Sequence, residues 1–126
     1  YGSCWGMQIA AMVAGGQVAT SANGREIGIS KPIELTDTGV KHPYFQGRKG
    51  KFNALCIHLD EVVKPPANSI ILARNDHSAV QAMIIKYKNS EFSVFMTRAG
   101  RPVLDFVYFS LINFFKKVKY FCIFLI

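Results

Sequence analysis

Gly2-Ser3-Cys4-Trp5-Gly6-Met7-Gln8 is the stretch from which the rest of the chain is read. Its cysteine has a glycine two residues away on each side. Beyond it, Met7, Ile9, Ala10, Ala11, Met12, Val13 and Ala14 predict a buried helix, and Gly15-Gly16 supplies the stop. Gly-x-Cys-x-Gly at a strand-to-helix turn is the thiol form of a nucleophile elbow. Gly2 and Gly6 permit a turn tight enough to lift the side chain clear of the backbone. Cys4 then lies at a helix N-terminus, where partial positive charge favours thiolate. The backbone N–H of Trp5 would face the oxyanion formed when Cys4 attacks a carbonyl. On this motif alone, a buried cysteine ahead of a core helix stands as the alternative.

The longer match favours the elbow. Gly-Ser-Cys-Trp-Gly-Met-Gln, a short apolar helix and then Gly-Gly-Gln-Val resemble the class I glutamine amidotransferases. Within them, the likeness is to stand-alone members similar to the amidotransferase domain of GMP synthase. Further motifs follow in order: Gly24-Arg25-Glu26-Ile27-Gly28 resembles a family strand, and His58-Leu59-Asp60-Glu61-Val62 its His-x-Asp segment. Pro65-Pro66 and Ser69 to Asn75 resemble its proline loop and the strand after it, and Val80-Gln81-Ala82 the strand leading toward the triad. The resemblance runs over residues 1–92. It implies Cys4 as catalytic nucleophile, Trp5 as oxyanion N–H, and Gln8 as a residue that helps hold substrate glutamine. It also places His58, with Asp60, near the glutamine pocket in a supporting role; a satisfied strand-end histidine is the alternative.

The chain has 126 residues, enough for one domain with a modest core. In the family, several strands and a glycine loop that gives a second oxyanion N–H precede the elbow. Against that pattern this sequence reads as a fragment of the three-layer α/β fold, with N-terminal strands missing. Three cysteines without paired spacing argue against a disulfide framework and for a reducing, cytoplasmic location. No Cys/His cluster has zinc spacing, so no metal is expected, and no cofactor is implied. The formal charge is +7, split as +3 through residue 92 and +4 beyond it. Basic residues are scattered and no basic-aromatic motif occurs, so a nucleic-acid partner is not expected.

After the elbow helix, Ser21 to Gly24 reads as a turn and Glu26 to Leu35 as strand interrupted near Lys31-Pro32. Asp37 to Pro43 reads as a loop and Tyr44 to Gly47 as a short turn. Phe52 to His58, Ser69 to Ala73, Ala79 to Tyr87 and Phe92 to Met96 read as strands, with Cys56 in the core. Many short strands after one helix predict an antiparallel or mixed extension beside a parallel core. In extended chain, His58 and Asp60 would share a side. His42-Pro43 superficially resembles the family's His-Pro-Glu but lies before the His-x-Asp segment, in a variable loop. His77, in Asn75-Asp76-His77-Ser78, is expected in a solvent-exposed turn.

The departure comes after Phe92. The family continues to His-Pro-Glu, whose histidine takes the cysteine proton and whose glutamate orients it. Here no histidine follows His77. Residues 93–126 are expected to form a divergent hydrophobic and basic tail. Within it, the bias of Val103 to Ile126 toward Phe, Ile, Leu, Tyr, Lys and Asn suggests a frameshift or read-through, and a helix over Leu104 to about Lys117 would cover apolar surface. Its apolar runs fall short of the roughly 20 residues that span a bilayer. The resemblance thus implies ammonia release from glutamine through a Cys4 thioester, with an ammonia-accepting synthase as partner. A γ-glutamyl peptidase or hydrolase, and a non-catalytic degenerate relative, remain as alternatives. A chain without the triad base and acid is expected to turn over poorly.

Overall fold

The computed structural model describes residues 2–96. A two-residue strand, β1 (Gly2–Ser3), leads through Cys4 into helix α1 (Trp5–Val13). Met7 and Ala11, one turn apart, are fully buried, with Gln8 beside them. Met12 and Val13, by contrast, are 62% and 66% exposed. The helix is therefore buried along one stripe and not all round, because only that stripe meets the sheet. Its end follows from the paired glycines. Gly15 takes φ +88°, and its N–H bonds Met12 O at 3.0 Å while Gly16 N–H bonds Ala11 O at 2.8 Å. This is a Schellman closure. Gly16 is needed for a second reason: a Cβ there would lie 2.7 Å from the Lys64 carbonyl.

The remaining elements are strands with one helical excursion. In order they are β2 (Gln17–Thr20), β3 (Glu26–Ile29), β4 (Ile33–Leu35), α2 (Asp37–Lys41), a 3-10 turn at Pro43–Phe45 and β5 (Lys51–Phe52). Then come β6 (Leu55–His58), β7 (Asp60–Lys64), β8 (Ser69–Arg74), β9 (Ala82–Tyr87) and β10 (Ser90–Phe95). A six-stranded sheet has the order β1-β10-β9-β8-β4-β5. Only β1 against β10 is parallel in it; its other pairs are antiparallel. The mixed extension that the sequence predicts is present, and of the expected parallel core the described residues hold one pair, β1-β10, at the sheet edge. Two antiparallel ribbons, β2-β7 and β3-β6, complete the described strands.

The core lies on both faces of that sheet, and β9 shows why. Met83 and Ile85 point to one face, with Met7, Ala11, Val62 and Val94. Ala82 and Ile84 point to the other, with Ile33, Phe45, Leu72 and Phe95. The alternation is the two-residue period of a strand buried on both sides. Burial of such side chains, at roughly 25 cal/mol per Å² of apolar surface, is the main favourable term.

Several expected boundaries move. Asp37 to Lys41 is a short helix and not a loop: Thr36 caps it, accepting the Gly39 N–H at 3.0 Å. Phe52 to His58 is broken into β5 and β6 around Asn53-Ala54, where Ser30 Oγ accepts the Ala54 N–H. Strands β2 and β7 are additional to those read from the sequence; they pair through Val18 and Val62. Among the described residues no helix is long and apolar enough to cross a membrane. The expected tail helix over residues 104–117 lies outside the described residues.

Candidate active site

The parallel ladder delivers Cys4 to the turn. Gly2 pairs with Val94 and Ser3 with Phe95, and Cys4 N–H continues the ladder to Phe95 O at 2.7 Å. The Cys4 carbonyl already accepts the Met7 and Gln8 N–H groups, at 3.0 and 3.3 Å, so the residue ends the strand and begins the helix. To do both it adopts φ 50°, ψ −110°. That is a sparsely populated conformation for a side chain with a Cβ, costing on the order of 1–3 kcal/mol. Gly2 is explained directly: a Cβ there would press to 3.0 Å on the Gly6 backbone. Gly6 itself meets no such crowding, so nothing in the described structure demands glycine at that position. Trp5, as first residue of α1, carries an N–H with no intrahelical acceptor. The Cys4 thiol is partly exposed and its Sγ lies 3.5 Å from the Ile57 carbonyl.

From the helix a hydrogen-bonded chain runs into the β3-β6 ribbon. Gln8 Nε2 donates to Asp60 O at 2.9 Å. His58 Nδ1 lies 3.2 Å from the same carbonyl, and His58 Nε2 lies 2.9 Å from Glu26 Oε2. A carbonyl only accepts, so Nδ1 carries a proton, and Nε2 and the Glu26 carboxylate share another. Gln81 Nε2 also donates to Oε2, and Asn75 Nδ2 and the Lys31 N–H donate to Oε1. Burial pushes the Glu26 carboxyl up, but these bonds outweigh it and hold it below its ordinary value.

The sequence-predicted residues are thus brought together in part. Cys4, Trp5 and Gln8 form one turn, and His58 adjoins it through Ile57. The Asp60 side chain does not join His58. A bend at Leu59, whose carbonyl takes the Ser21 N–H, turns the chain, and Asp60 Oδ1 instead accepts from Thr20 Oγ1 at 2.9 Å. His77 is not exposed as expected; it is 6% exposed. Asn75 Oδ1 gathers the His77 and Ser78 N–H groups into a tight turn, and Asn23 covers it by donating to His77 O. The His77 ring stands edge-on to His58 at 5.6 Å between centroids. His42 is local: Nδ1 accepts the Tyr44 N–H, and burial lowers its pKa, with Glu91 acting the other way. Cys56 is buried in β6, as expected, and burial pushes its thiol up to about 12, with Glu26 adding to the effect.

Glu26, the hub of the network, is the residue that sequence reasoning missed as a site member. Its position directly opposite His58 is a register fact, visible only once β3 and β6 are paired. Cys56 and His58, read separately from the sequence, are alternate residues of β6. An open cleft of about 630 Å³, lined by residues including Asn23, Glu34, Arg74 and Asp76, does not include Cys4.

The profile of the family described as Glutamine amidotransferase class-I matches residues 1–94. A gamma-glutamyl-L-1-hydroxyisopropylamide hydrolase from a Pseudomonas species is 37% identical over 95 residues, 73% of this chain and 32% of that protein. A glutamine-hydrolysing GMP synthase subunit from Sulfurisphaera tokodaii is 38% identical over 93 residues, 74% of this chain and 46% of that one. The chain therefore spans less than half the length of these relatives. The crystal structure of a glutamine amidotransferase from Thermotoga maritima superposes with a TM-score of 0.64 at 19% identity, over 91% of this chain and 47% of that chain. At that identity the likeness concerns the fold.

Proposed function

The chain belongs to the class I glutamine amidotransferase family, and on that premise we propose that Cys4 is the nucleophile of a γ-glutamyl transfer. The Cys4 sulfur adds to the side-chain carbonyl of glutamine, the thiol proton passes to the departing nitrogen so that ammonia leaves, and a γ-glutamyl thioester remains on Sγ for water to hydrolyse. The observation that carries this reading is the strained φ of Cys4 at the β1-α1 junction. A merely structural cysteine has no need of that conformation. Trp5 N–H is the oxyanion donor at the elbow, and Gln8 on the next turn is a substrate contact. His58, oriented by Glu26, holds the Asp60 carbonyl against which Gln8 is set.

The similarity to a γ-glutamyl amide hydrolase favours a second acyl donor, a γ-glutamyl amide of a larger amine. The similarity to a glutamine-hydrolysing GMP synthase component supports a synthase as ammonia acceptor. Free Cys4 and Cys56 support a reducing, cytoplasmic setting. We assign the amidotransferase portion to residues 1–92 and the divergent tail to 93–126. That boundary falls inside β10, whose pairing with β9 runs from Ser90 to Phe95.

None of the chain's three histidines bonds Cys4 in the described structure. Turnover by these 126 residues alone is accordingly slow, well below about one per second, a usual enzyme rate. The test is amine release from glutamine and from a γ-glutamyl alkylamide, with Cys4→Ala as control. Slow release that vanishes in Cys4→Ala supports the reading, and the preferred donor separates hydrolase from amidotransferase. Release that is unchanged in Cys4→Ala overturns it.

A further inference from the structure

The β3-β6 ribbon has two unlike faces. Ile27, Ile29, Leu55 and Ile57 project outward from paired positions, while Glu26, Cys56 and His58 project inward. Cys56 and His58 are alternate residues of one strand, so they share a face, and Glu26 stands directly across from His58. One donor atom from each, a thiol sulfur, an imidazole nitrogen and a carboxylate oxygen, all lie within 4.8 Å of one another. All three residues are buried. Sequence spacing did not reveal this set, because the third donor arrives from another strand.

We propose that Glu26, Cys56 and His58 form a binding site for a borderline-soft divalent cation of the zinc type, independent of Cys4. The donor set is a mixed sulfur, nitrogen and oxygen one, which suits zinc better than magnesium or calcium. The surrounding hydrogen bonds are those that metal ligands require. His58 Nδ1–H is already held by the Asp60 carbonyl at 3.2 Å, which fixes the ring and directs Nε2 inward. Glu26 Oε1 is held by Asn75 Nδ2 at 2.8 Å and the Lys31 N–H at 3.2 Å, which leaves Oε2 as the metal-facing oxygen. His77 lies nearby but outside this donor set. His77 is 6% exposed, its ring is 5.6 Å from that of His58, and its Nε2 has no hydrogen-bond partner among the described residues.

Charge balances on loading. The metal-free cluster holds one proton shared by His58 and Glu26 and one on the Cys56 thiol. A divalent cation releases both, and thiolate plus carboxylate then neutralise it. The buried site exchanges two protons for one M²⁺ without gaining net charge, which avoids the penalty of an unpaired buried ion. Oε2 gives up its bonds from His58 Nε2 and Gln81 Nε2 to the metal. The bound ion ties β3 to β6 beside Ile57, whose carbonyl faces Cys4 Sγ.

The experiment uses the full chain carrying Cys4→Ala and Cys122→Ala, so that Cys56 is its remaining thiol. Anaerobic titration with Co²⁺ is followed in the near ultraviolet and visible. The expected result is a thiolate-to-cobalt charge-transfer band saturating at one Co²⁺ per chain and bleached by Zn²⁺. The apparent affinity should rise with pH, because ligation displaces the Cys56 thiol proton. His58→Asn and Glu26→Gln should each weaken binding at least about 10-fold. Zn²⁺ should raise the melting midpoint of the parent, and a chelator should reverse the rise. No charge-transfer band, or affinity and midpoint unmoved in a folded Glu26→Gln chain, overturns the proposal. Because Cys4 is absent throughout, the outcome is separate from that of the amidotransferase reading.

Discussion

Cys4 and Cys56 show how position separates two identical side chains. Cys4 is partly exposed at the N-terminus of α1, lifted by its positive φ. Cys56 is buried and its thiol is pushed up to about 12, chiefly by burial. Thiolate is the reacting species, so brief limiting iodoacetamide should label Cys4 well ahead of Cys56. Peptide mapping by mass spectrometry checks this, and preferential labelling of Cys56 would contradict it. Glu26 gives a pH prediction. Its carboxyl is held below the ordinary value of 4.5, so the unfolded state binds its proton first as pH falls. The stability this contributes is complete above that ordinary value and is lost as pH falls through the lower, folded one. Melting midpoints measured downward from neutral pH should drop through that acid range, and Glu26→Gln should show less of the drop. An equal acid slope in both chains would show that the network around Glu26 holds no stability of this kind.

Among the elements, α1 was legible because its start and stop are both written in glycine. Gly2 admits the Gly6 backbone, and Gly15-Gly16 closes the helix against β7. Its exposed Met12 and Val13 were not legible, since an apolar residue on the wrong face looks like any other. Helix α2 was hidden by Gly39, which lowers helix propensity, and by Pro43 shortly after it. The structure supplies the reason for the glycine. The helix packs so closely on β8 that a Cβ at position 39 would collide with the Leu72 carbonyl. Gly39→Ala should therefore destabilise by roughly 1–3 kcal/mol, although alanine is the better helix former. Urea unfolding measures this; a neutral or stabilising effect would mean that α2 sits further from β8. Strands β2 and β7 escaped notice because four and five residues of mixed polarity carry little periodic signal. The inward Glu26-His58 pair depends on register, which no single strand contains.

For the whole molecule, the order of motifs along the chain was sufficient to identify the family and the mixed sheet. What it could not provide was the assignment of three histidines to places. His58 is committed to Glu26 and Asp60 O, His42 to Tyr44 N–H, and His77 is folded under Asn23. The elbow is therefore built while no histidine stands against its thiol. Acylation and deacylation both lack the base, but unactivated water is a far weaker nucleophile than a thiol, so deacylation is slowed more. The γ-glutamyl thioester should consequently persist. Incubating the full chain with glutamine, quenching in acid and mapping the adduct by mass spectrometry would detect it. The structure leads us to expect one glutamyl group on Cys4, absent from Cys4→Ala. A glutamyl group on Cys56, or no adduct on Cys4 after prolonged incubation, would contradict the assignment of Cys4 as the nucleophile.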